Sequence, residues 1–114
     1  GFDRPNIWLS VERFEDEAEK QQTLIERVMR VQKPGIVYVA TKNKAEEVAT
    51  ALSDQGIKAI YYHAGMKAKE REEAFSRFMN DEAEVIVATT AFGMGVDKPN
   101  VRFVFHHDIS DSVD

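Results

Sequence analysis

Residues 85–106 read VIVATTAFGMGVDKPNVRFVFH, two apolar runs on either side of a loop that contains two glycines and an aspartate. Each run is apolar at consecutive positions rather than at alternate ones, as in a strand that helices cover on both faces of a parallel sheet. Two similar runs, IVYV at 36–39 and AIYY at 59–62, lie upstream. Because parallel strands are joined by crossover helices, this pattern predicts an α/β fold.

Three longer segments carry apolar residues three or four positions apart, which is the spacing of one face of a helix. These residues are Leu24, Ile25, Val28 and Met29; Ala45, Val48, Ala49 and Leu52; and Ala74, Phe75, Phe78 and Met79. Asp16 with Glu19 fits a capping box at a helix start, and so does Asn43 with Glu46. Gly56 fits a left-handed C-terminal cap.

The predicted architecture is a three-layer domain with a mainly parallel sheet flanked by helices. Its predicted strands are residues 6–11, 35–40, 58–62, 85–89 and 101–106. Residues 1–12 are interpreted as a lead-in from a preceding lobe, and residues 13–114 as one domain. The chain begins at Gly1 rather than at a methionine, so we expect both ends to be cuts in a longer protein.

Composition narrows the classes of function. The chain has 114 residues, no cysteine and a formal net charge of -5, which excludes disulfides and thiolate metal sites and argues against a broad basic surface for nucleic acid. No apolar run approaches the roughly 18 residues of a membrane-spanning helix, and no signal segment is present at the N-terminus. We therefore expect no membrane partner, and any binding of nucleic acid must be local.

One edge of the predicted sheet gathers the polar chemistry. Ligands of open parallel sheets bind beyond the carboxyl ends of the strands, which here are followed by residues 41–44, 63–67, 89–97 and 107–110. These loops contain hydroxyls, lysines, glycines and histidine, whereas the opposite connections contain mostly acids and turn residues. Hydroxyls, lysines and the N–H groups at helix starts are suited to phosphate.

Each candidate also has a purely structural interpretation. Thr41 and Asn43 fit a helix cap as well as a phosphate contact. His63 beside Gly65 is more often a hydrogen-bonded turn histidine, and Arg71 fits a surface ion pair with a nearby glutamate. A metal site at residues 106–108 is disfavoured, because neighbouring side chains on a strand point to opposite faces.

The loop at 93–98, GMGVDK, lacks the third glycine of a dinucleotide fingerprint, and no GK[ST] sequence occurs in the chain. The chain therefore has no self-sufficient nucleotide site. The loop offers half of one, because its glycines permit close backbone approach and Asp97 can accept a hydrogen bond from a ribose hydroxyl.

Four stretches together resemble a known family. They are FDRPNI (2–7), GIVYVATK (35–42), YYHAGM (61–66) and VIVATTAFGMGVDKPNVRFVFHHDIS (85–110). They are similar to the second RecA-like lobe of superfamily 2 helicases, and most similar to RecQ-type DNA helicases. A DEAD-box RNA helicase would more typically carry a TDxxxRGxD form where this chain has AFGMGVDKP.

The resemblance implies an ATP-driven 3′ to 5′ DNA helicase of repair and recombination, with ATP and Mg²⁺ as cofactors. The implied partners are single-stranded and duplex DNA and a first RecA-like lobe, with the fragment itself monomeric. The implied location is the cytoplasmic nucleoid in a bacterium or the nucleus in a eukaryote. The resemblance assigns DNA contact to Thr41, Lys42, Asn43, His63, Gly65, Thr89 and Thr90, nucleotide contact to Gly95 and Asp97, and coupling to Ala91, Phe92, Gly93 and Met94.

The family's phosphate-binding lysine, metal-binding acids and arginine finger have no counterpart in these 114 residues. The first two belong to the first lobe, which also holds the Mg²⁺, and the arginine motif would follow Asp114. We therefore expect no ATPase activity from the chain alone, and no complete catalytic or metal site in it. A lobe of an RNA helicase or another superfamily 2 translocase, and a non-catalytic α/β binding module, remain as alternatives.

Overall fold

The computed structural model describes residues 5–89 and 98–107, with side chains described from residue 18 onward. Its elements, in chain order, are α1 (Pro5–Arg30), β1 (Gly35–Tyr38), α2 (Lys42–Asp54), β2 (Ala59–Tyr62), α3 (Ala68–Met79), β3 (Val85–Ala88) and β4 (Phe103–His106). Helices and strands alternate from α1 to β3, which confirms the α/β prediction. Among the helices in these ranges, none has the length and apolar character needed to cross a membrane.

The four strands form one parallel sheet in the order β2-β3-β1-β4. Gly35 lies in register with Val85 on one side and with Phe103 on the other. All four residues of β3 are buried, because β3 has a strand on either side and helices above and below. This explains why its sequence is continuously apolar.

Helices cover both faces of the sheet. On one face, Val28 of α1 and Leu52 of α2 pack in a core cluster with Val37 of β1. On the other face, Phe78 of α3 packs against Ile86 of β3. The alternation of side chains along each strand thus divides the core into two clusters, and the predicted three-layer arrangement is confirmed.

The predicted strand at residues 6–11 is wrong, because this segment lies inside α1. Proline fits the first turn of a helix, where its missing N–H costs nothing, and the following VERFEDEAEK is rich in strong helix formers. The predicted helix start at Asp16 is wrong for the same reason. The proposed domain boundary after residue 12 falls inside α1 and stays a prediction.

The starts of the other two helices differ in their caps. Thr41 is the N-cap of α2, and its Oγ1 accepts a hydrogen bond from the N–H of Lys44 at 3.1 Å. The predicted Asn43–Glu46 capping box is therefore wrong: the first hydroxyl after the strand captures the helix start two residues earlier. At the start of α3, Lys67 N–H donates to Glu70 Oε1 at 3.1 Å. Gly56 has a φ of +87°, which confirms its predicted left-handed conformation.

Lys98 is buried at the edge of the sheet where the strands begin. Its Nζ donates to Asp81 Oδ1 at 2.7 Å and to Met79 O at 3.3 Å. Hydrogen bonds from Lys98 and Asn100 hold the pKa of the Asp81 carboxyl below its ordinary value. The segment that leads into β4 is thereby tied to the end of α3.

Candidate functional site

The carboxyl ends of the strands form one continuous edge, as predicted. Val39 N–H donates to Ala88 O at 2.9 Å, and Thr89 N–H donates to Tyr62 O at 3.2 Å, so the strand ends lie side by side. The strand order places the loop at His63 next to the one at Thr89, and the loop at Thr89 next to the start of α2. Residues far apart in sequence, such as Val39 and Ala88, are thus neighbours at this edge.

The start of α2 presents unused donors. Thr41, Lys42 and Asn43 are all exposed. Thr41 satisfies the N–H groups of Lys44 and Ala45 with its hydroxyl and its carbonyl. Within the described ranges, the N–H groups of Lys42 and Asn43 have no hydrogen-bond partner. Two donors at the positive end of the helix dipole, next to the ammonium of Lys42, can bind an anion such as phosphate.

His63 is only 4% exposed and both of its ring nitrogens are used. Nδ1 accepts a hydrogen bond from the N–H of Gly65 at 3.0 Å, and Nε2 lies 2.8 Å from Oε2 of Glu46. Because Nδ1 accepts, the ring proton belongs on Nε2, which donates to Glu46. His63 is therefore a hydrogen-bonded turn histidine, and its predicted contact with DNA could occur only through the turn that it supports.

The turn at residues 63–66 is closed by several further contacts. Met66 N–H donates to His63 O at 3.2 Å, and His63 N–H donates to Met66 Sδ at 3.3 Å. Tyr61 stacks on the His63 ring, with centroids 5.5 Å apart and planes at 7°. These contacts fix the conformation of the turn at residues 63–66.

Arg71 adds a constraint from α3. It donates to the carbonyl oxygen of Met66 at 2.6 Å and to that of Ala64 at 3.4 Å. The suggested ion pair with a glutamate is wrong, because the guanidinium lies one turn into α3, where two carbonyls of the turn converge on it. Arg71 therefore holds the carbonyl side of the turn, while His63 holds an N–H.

Gly65 connects the turn with the start of α2. A Cβ atom at Gly65 would lie 3.2 Å from the His63 ring and 3.2 Å from Cδ of Lys42. Both contacts are closer than ordinary van der Waals distance, so a side chain at position 65 would force the ring or the lysine to move. The glycine thus lets the Lys42 stem pass directly over the turn.

Of the remaining predicted site residues, the structure describes only Thr89. Thr89 is half-buried at the end of β3. Thr90, the coupling residues 91–94, and the nucleotide residues Gly95 and Asp97 lie outside the described residues. The resemblance still assigns their roles, which stay predictions.

His106 at the end of β4 and His107, which follows it, do not converge. His106 is exposed and stacks on Tyr38 with centroids 5.2 Å apart, whereas His107 is buried. Burial raises the pKa of the Tyr38 phenol. Among the described residues no three His, Cys, Asp or Glu side chains form a group that could hold a metal ion.

Sequence reasoning missed Glu46 as a member of this site. The capping-box pattern gave it a different partner, and a pairing across 17 positions leaves no local signal. One feature could have indicated it: Glu46 is four residues after Lys42, so both lie on the same side of α2.

Comparison with known proteins gives one consistent family. The sequence profile described as the helicase conserved C-terminal domain matches residues 19–114. The chain is 43% identical to the ATP-dependent DNA helicase RecQ of Haemophilus influenzae and 37% identical to the ATP-dependent DNA helicase Q1 of Rattus norvegicus, each over 99% of its length. It spans 18% and 19% of those proteins.

Solved structures with a similar fold include DEAD-box proteins. S. cerevisiae Dbp5 bound to RNA and ADP BeF3 matches 81% of the chain with a TM-score of 0.71 and 28% identity, and the match covers 24% of that chain. E. coli SrmB bound to regulator of ribonuclease activity A matches 81% of the chain with a TM-score of 0.71 and 29% identity, covering 55% of SrmB. The sheet and its flanking helices are therefore those of a helicase C-terminal lobe.

Proposed function

We propose that this chain is the second motor lobe of an ATP-dependent DNA helicase. The chain belongs to the helicase conserved C-terminal domain family, and its sequence is similar to those of RecQ helicases. The whole protein would unwind duplex DNA in repair and recombination, moving 3′ to 5′. One observation supports the role of this lobe: the exposed start of α2 lies against the turn at Gly65, on the edge where open parallel sheets bind their ligands.

The proposed task of this edge is to grip the backbone of single-stranded DNA. The N–H groups of Lys42 and Asn43 and the ammonium of Lys42 would donate to phosphate oxygens, and Thr41 and Thr89 would add hydroxyls. Such contacts carry no sequence information, as a translocating motor requires. A chain with a net charge of -5 could bind DNA in this way, because the contacts are local and need only the exposed ammonium of Lys42 and the donors at the start of α2.

ATP is proposed to bind between this lobe and a first RecA-like lobe of the same protein, which would hold the Mg²⁺. Gly95 and Asp97 would face the nucleotide, and residues 91–94 would connect it to the DNA edge. When bound, ATP would close the cleft between the lobes, and its hydrolysis would allow the cleft to reopen. In that cycle, the described residues of this chain would contribute the grip on DNA.

An RNA helicase lobe is the second candidate, since one of the similar structures is bound to RNA and backbone contacts alone do not separate the two polymers. A non-catalytic binding module is a third. We also propose that the lobe is monomeric, and that the protein acts in the nucleoid of a bacterium or the nucleus of a eukaryote.

The experiment that separates these candidates is an ATPase assay of the full-length protein with DNA or RNA single strands of equal length. We expect DNA to stimulate turnover more than RNA does, and a partial duplex with a 3′ tail to be unwound. Equal or greater stimulation by RNA would favour the RNA helicase, and the absence of any stimulated turnover would favour the binding module.

Two substitutions in the full-length protein test whether Asp97 contacts the nucleotide and Thr89 contacts DNA. Asp97→Ala is expected to impair ATP-driven unwinding more than DNA binding. Thr89→Ala is expected to weaken DNA binding by about 1 to 3 kcal/mol at most, the range for one lost hydrogen bond. The reverse pattern would show that the nucleotide and DNA assignments are exchanged.

A further inference from the structure

Glu46 is an acidic residue on an edge proposed to bind a polyanion. Its side chain is about half exposed, at 49%, and its carboxylate lies 2.8 Å from Nε2 of His63. On electrostatic grounds alone, a carboxylate here repels DNA phosphates and weakens binding. If this edge binds DNA, Glu46 must therefore contribute something that offsets this repulsion.

The hydrogen bonds supply that role. Glu46 accepts a hydrogen bond from Nε2–H, which keeps the ring proton on Nε2 and leaves Nδ1 free to accept. Nδ1 then accepts from the N–H of Gly65, and Gly65 lies beneath the stem of Lys42. One carboxylate on α2 thereby fixes the ring, the ring fixes the turn, and the turn supports a lysine at the start of α2.

We propose that Glu46 is a positioning residue for DNA contact, which acts through His63 to hold the turn at residues 63–66 against Lys42. The inference rests on the proposed function, because it assumes that this edge grips DNA. Hydrogen-bond partners that orient a ligand-contacting group are well known around metal sites, and the same reasoning applies to an edge proposed to contact phosphate.

The test uses the full-length protein and compares three substitutions. Glu46→Ala removes the hydrogen bond to His63, whereas Glu46→Gln keeps an acceptor oxygen and loses only the charge. Glu47→Ala is the matched control, because Glu47 is the next residue of α2 and pairs with Lys44 instead. Each of the three removes one negative charge from the same helix.

The direction of the change in DNA affinity distinguishes a positioning role of Glu46 from an effect of its charge alone. If charge alone mattered, all three substitutions would tighten DNA binding. We expect Glu46→Ala to raise the DNA concentration for half-maximal ATPase by about tenfold, as for one lost hydrogen bond to a charged group. Glu46→Gln should stay within about twofold of the wild type, and Glu47→Ala should bind as well as the wild type or better.

A general loss of structure would change other readouts as well. In the Glu46→Ala variant, we expect the ATP KM and the turnover at saturating DNA to be kept, because the defect lies in DNA capture. Backbone amides of residues 61–66 should exchange hydrogen faster in Glu46→Ala than in Glu47→Ala. The salt dependence of DNA binding should keep its slope, since no cation has been removed.

The Glu46→Asp variant keeps the charge but withdraws the carboxylate by one methylene, and it replaces Glu46→Ala if that variant does not fold. It should also weaken DNA capture. The inference is overturned if Glu46→Ala, or Glu46→Asp in its place, binds DNA as the Glu47→Ala control does. The proposed function fails separately, if wild-type turnover does not respond to DNA or if Lys42→Ala leaves DNA binding unchanged.

Discussion

Gly35 shows what a single residue decides in this fold. It starts β1 beside Phe103 of β4, and a Cβ atom at position 35 would overlap the Phe103 ring. The ring fills the space that the missing side chain leaves, as part of the cluster between the sheet and α1 and α2. Close strand packing at the start of β1 therefore depends on one absent methyl group.

We expect Gly35→Ala to lower the free energy of unfolding by about 1 to 3 kcal/mol, the usual cost of overpacking a core. Urea denaturation of the chain measures this. Combining Gly35→Ala with Phe103→Leu, which shortens the opposing side chain, should recover part of the loss. Equal stability of Gly35→Ala and the wild type would contradict the packing described here.

The Asp81 carboxyl makes the free energy of unfolding depend on pH. Its pKa lies below the ordinary 3.8 because Lys98 and Asn100 donate to it in the folded state. A carboxyl with a lowered folded pKa stabilises the fold at every pH above its unfolded pKa, and that contribution disappears as the pH falls through the folded pKa.

We therefore expect Asp81→Asn to be less stable than the wild type at neutral pH, with the difference shrinking below about pH 4. Asparagine also tolerates the left-handed backbone of position 81, where φ is +64°. Denaturation curves at a series of pH values measure the difference, with Asp54→Asn as an exposed control. If the difference in free energy of unfolding between the wild type and Asp81→Asn stayed constant as the pH fell, the ion pair with Lys98 would not be its source.

At the scale of the element, α2 combines a structural and a functional task at its first turn. Sequence reasoning left the cap and phosphate roles of Thr41 open. The structure confirms the cap, and the phosphate role stays a prediction. The two are compatible, since a hydroxyl oxygen that accepts from Lys44 can still donate its proton outward.

Thr41→Ala should destabilise the chain by about 0.5 to 2 kcal/mol through loss of the N-cap, whereas Thr41→Ser should be nearly neutral. Asn43→Ala is the control, because Asn43 is not the cap, and its free energy of unfolding should stay close to that of the wild type. Thermal denaturation of the three variants decides the matter. A larger loss for Asn43→Ala than for Thr41→Ala would restore the capping box that the structure rejects.

At the scale of the whole molecule, the described part of the lobe brings the predicted DNA-contacting groups at residues 41–43, 63–65 and 89 to one edge. We expect the isolated 114-residue chain to hydrolyse no ATP, because its sequence has no counterpart of the family's phosphate-binding lysine, metal-binding acids or arginine finger. Turnover that purifies with the chain and survives Asp97→Ala would show that the chain has an independent site.

Weak binding of single-stranded DNA by this lobe should depend steeply on salt. If about three phosphates are neutralised, the slope of log affinity against log salt concentration should be near -2, and Lys42→Ala should reduce its magnitude by about 0.7. Titrations at several salt concentrations measure the slope. Salt-independent or sequence-specific binding would contradict a backbone grip.

The sequence by itself determined the α/β class, the four parallel strands and the single polar edge. Continuous apolar runs and helical spacing show which faces of each element are buried, and both can be read from short stretches of sequence. It was misleading at residues 6–11, where a short apolar run lies in a segment whose neighbours favour helix. Only the tertiary structure decided the pairing of Glu46 with His63, the contacts of Arg71 and the fit of Gly35 to Phe103. Each joins residues from different elements, and hydrogen bonds and close packing between elements depend on three-dimensional placement, which no local pattern encodes.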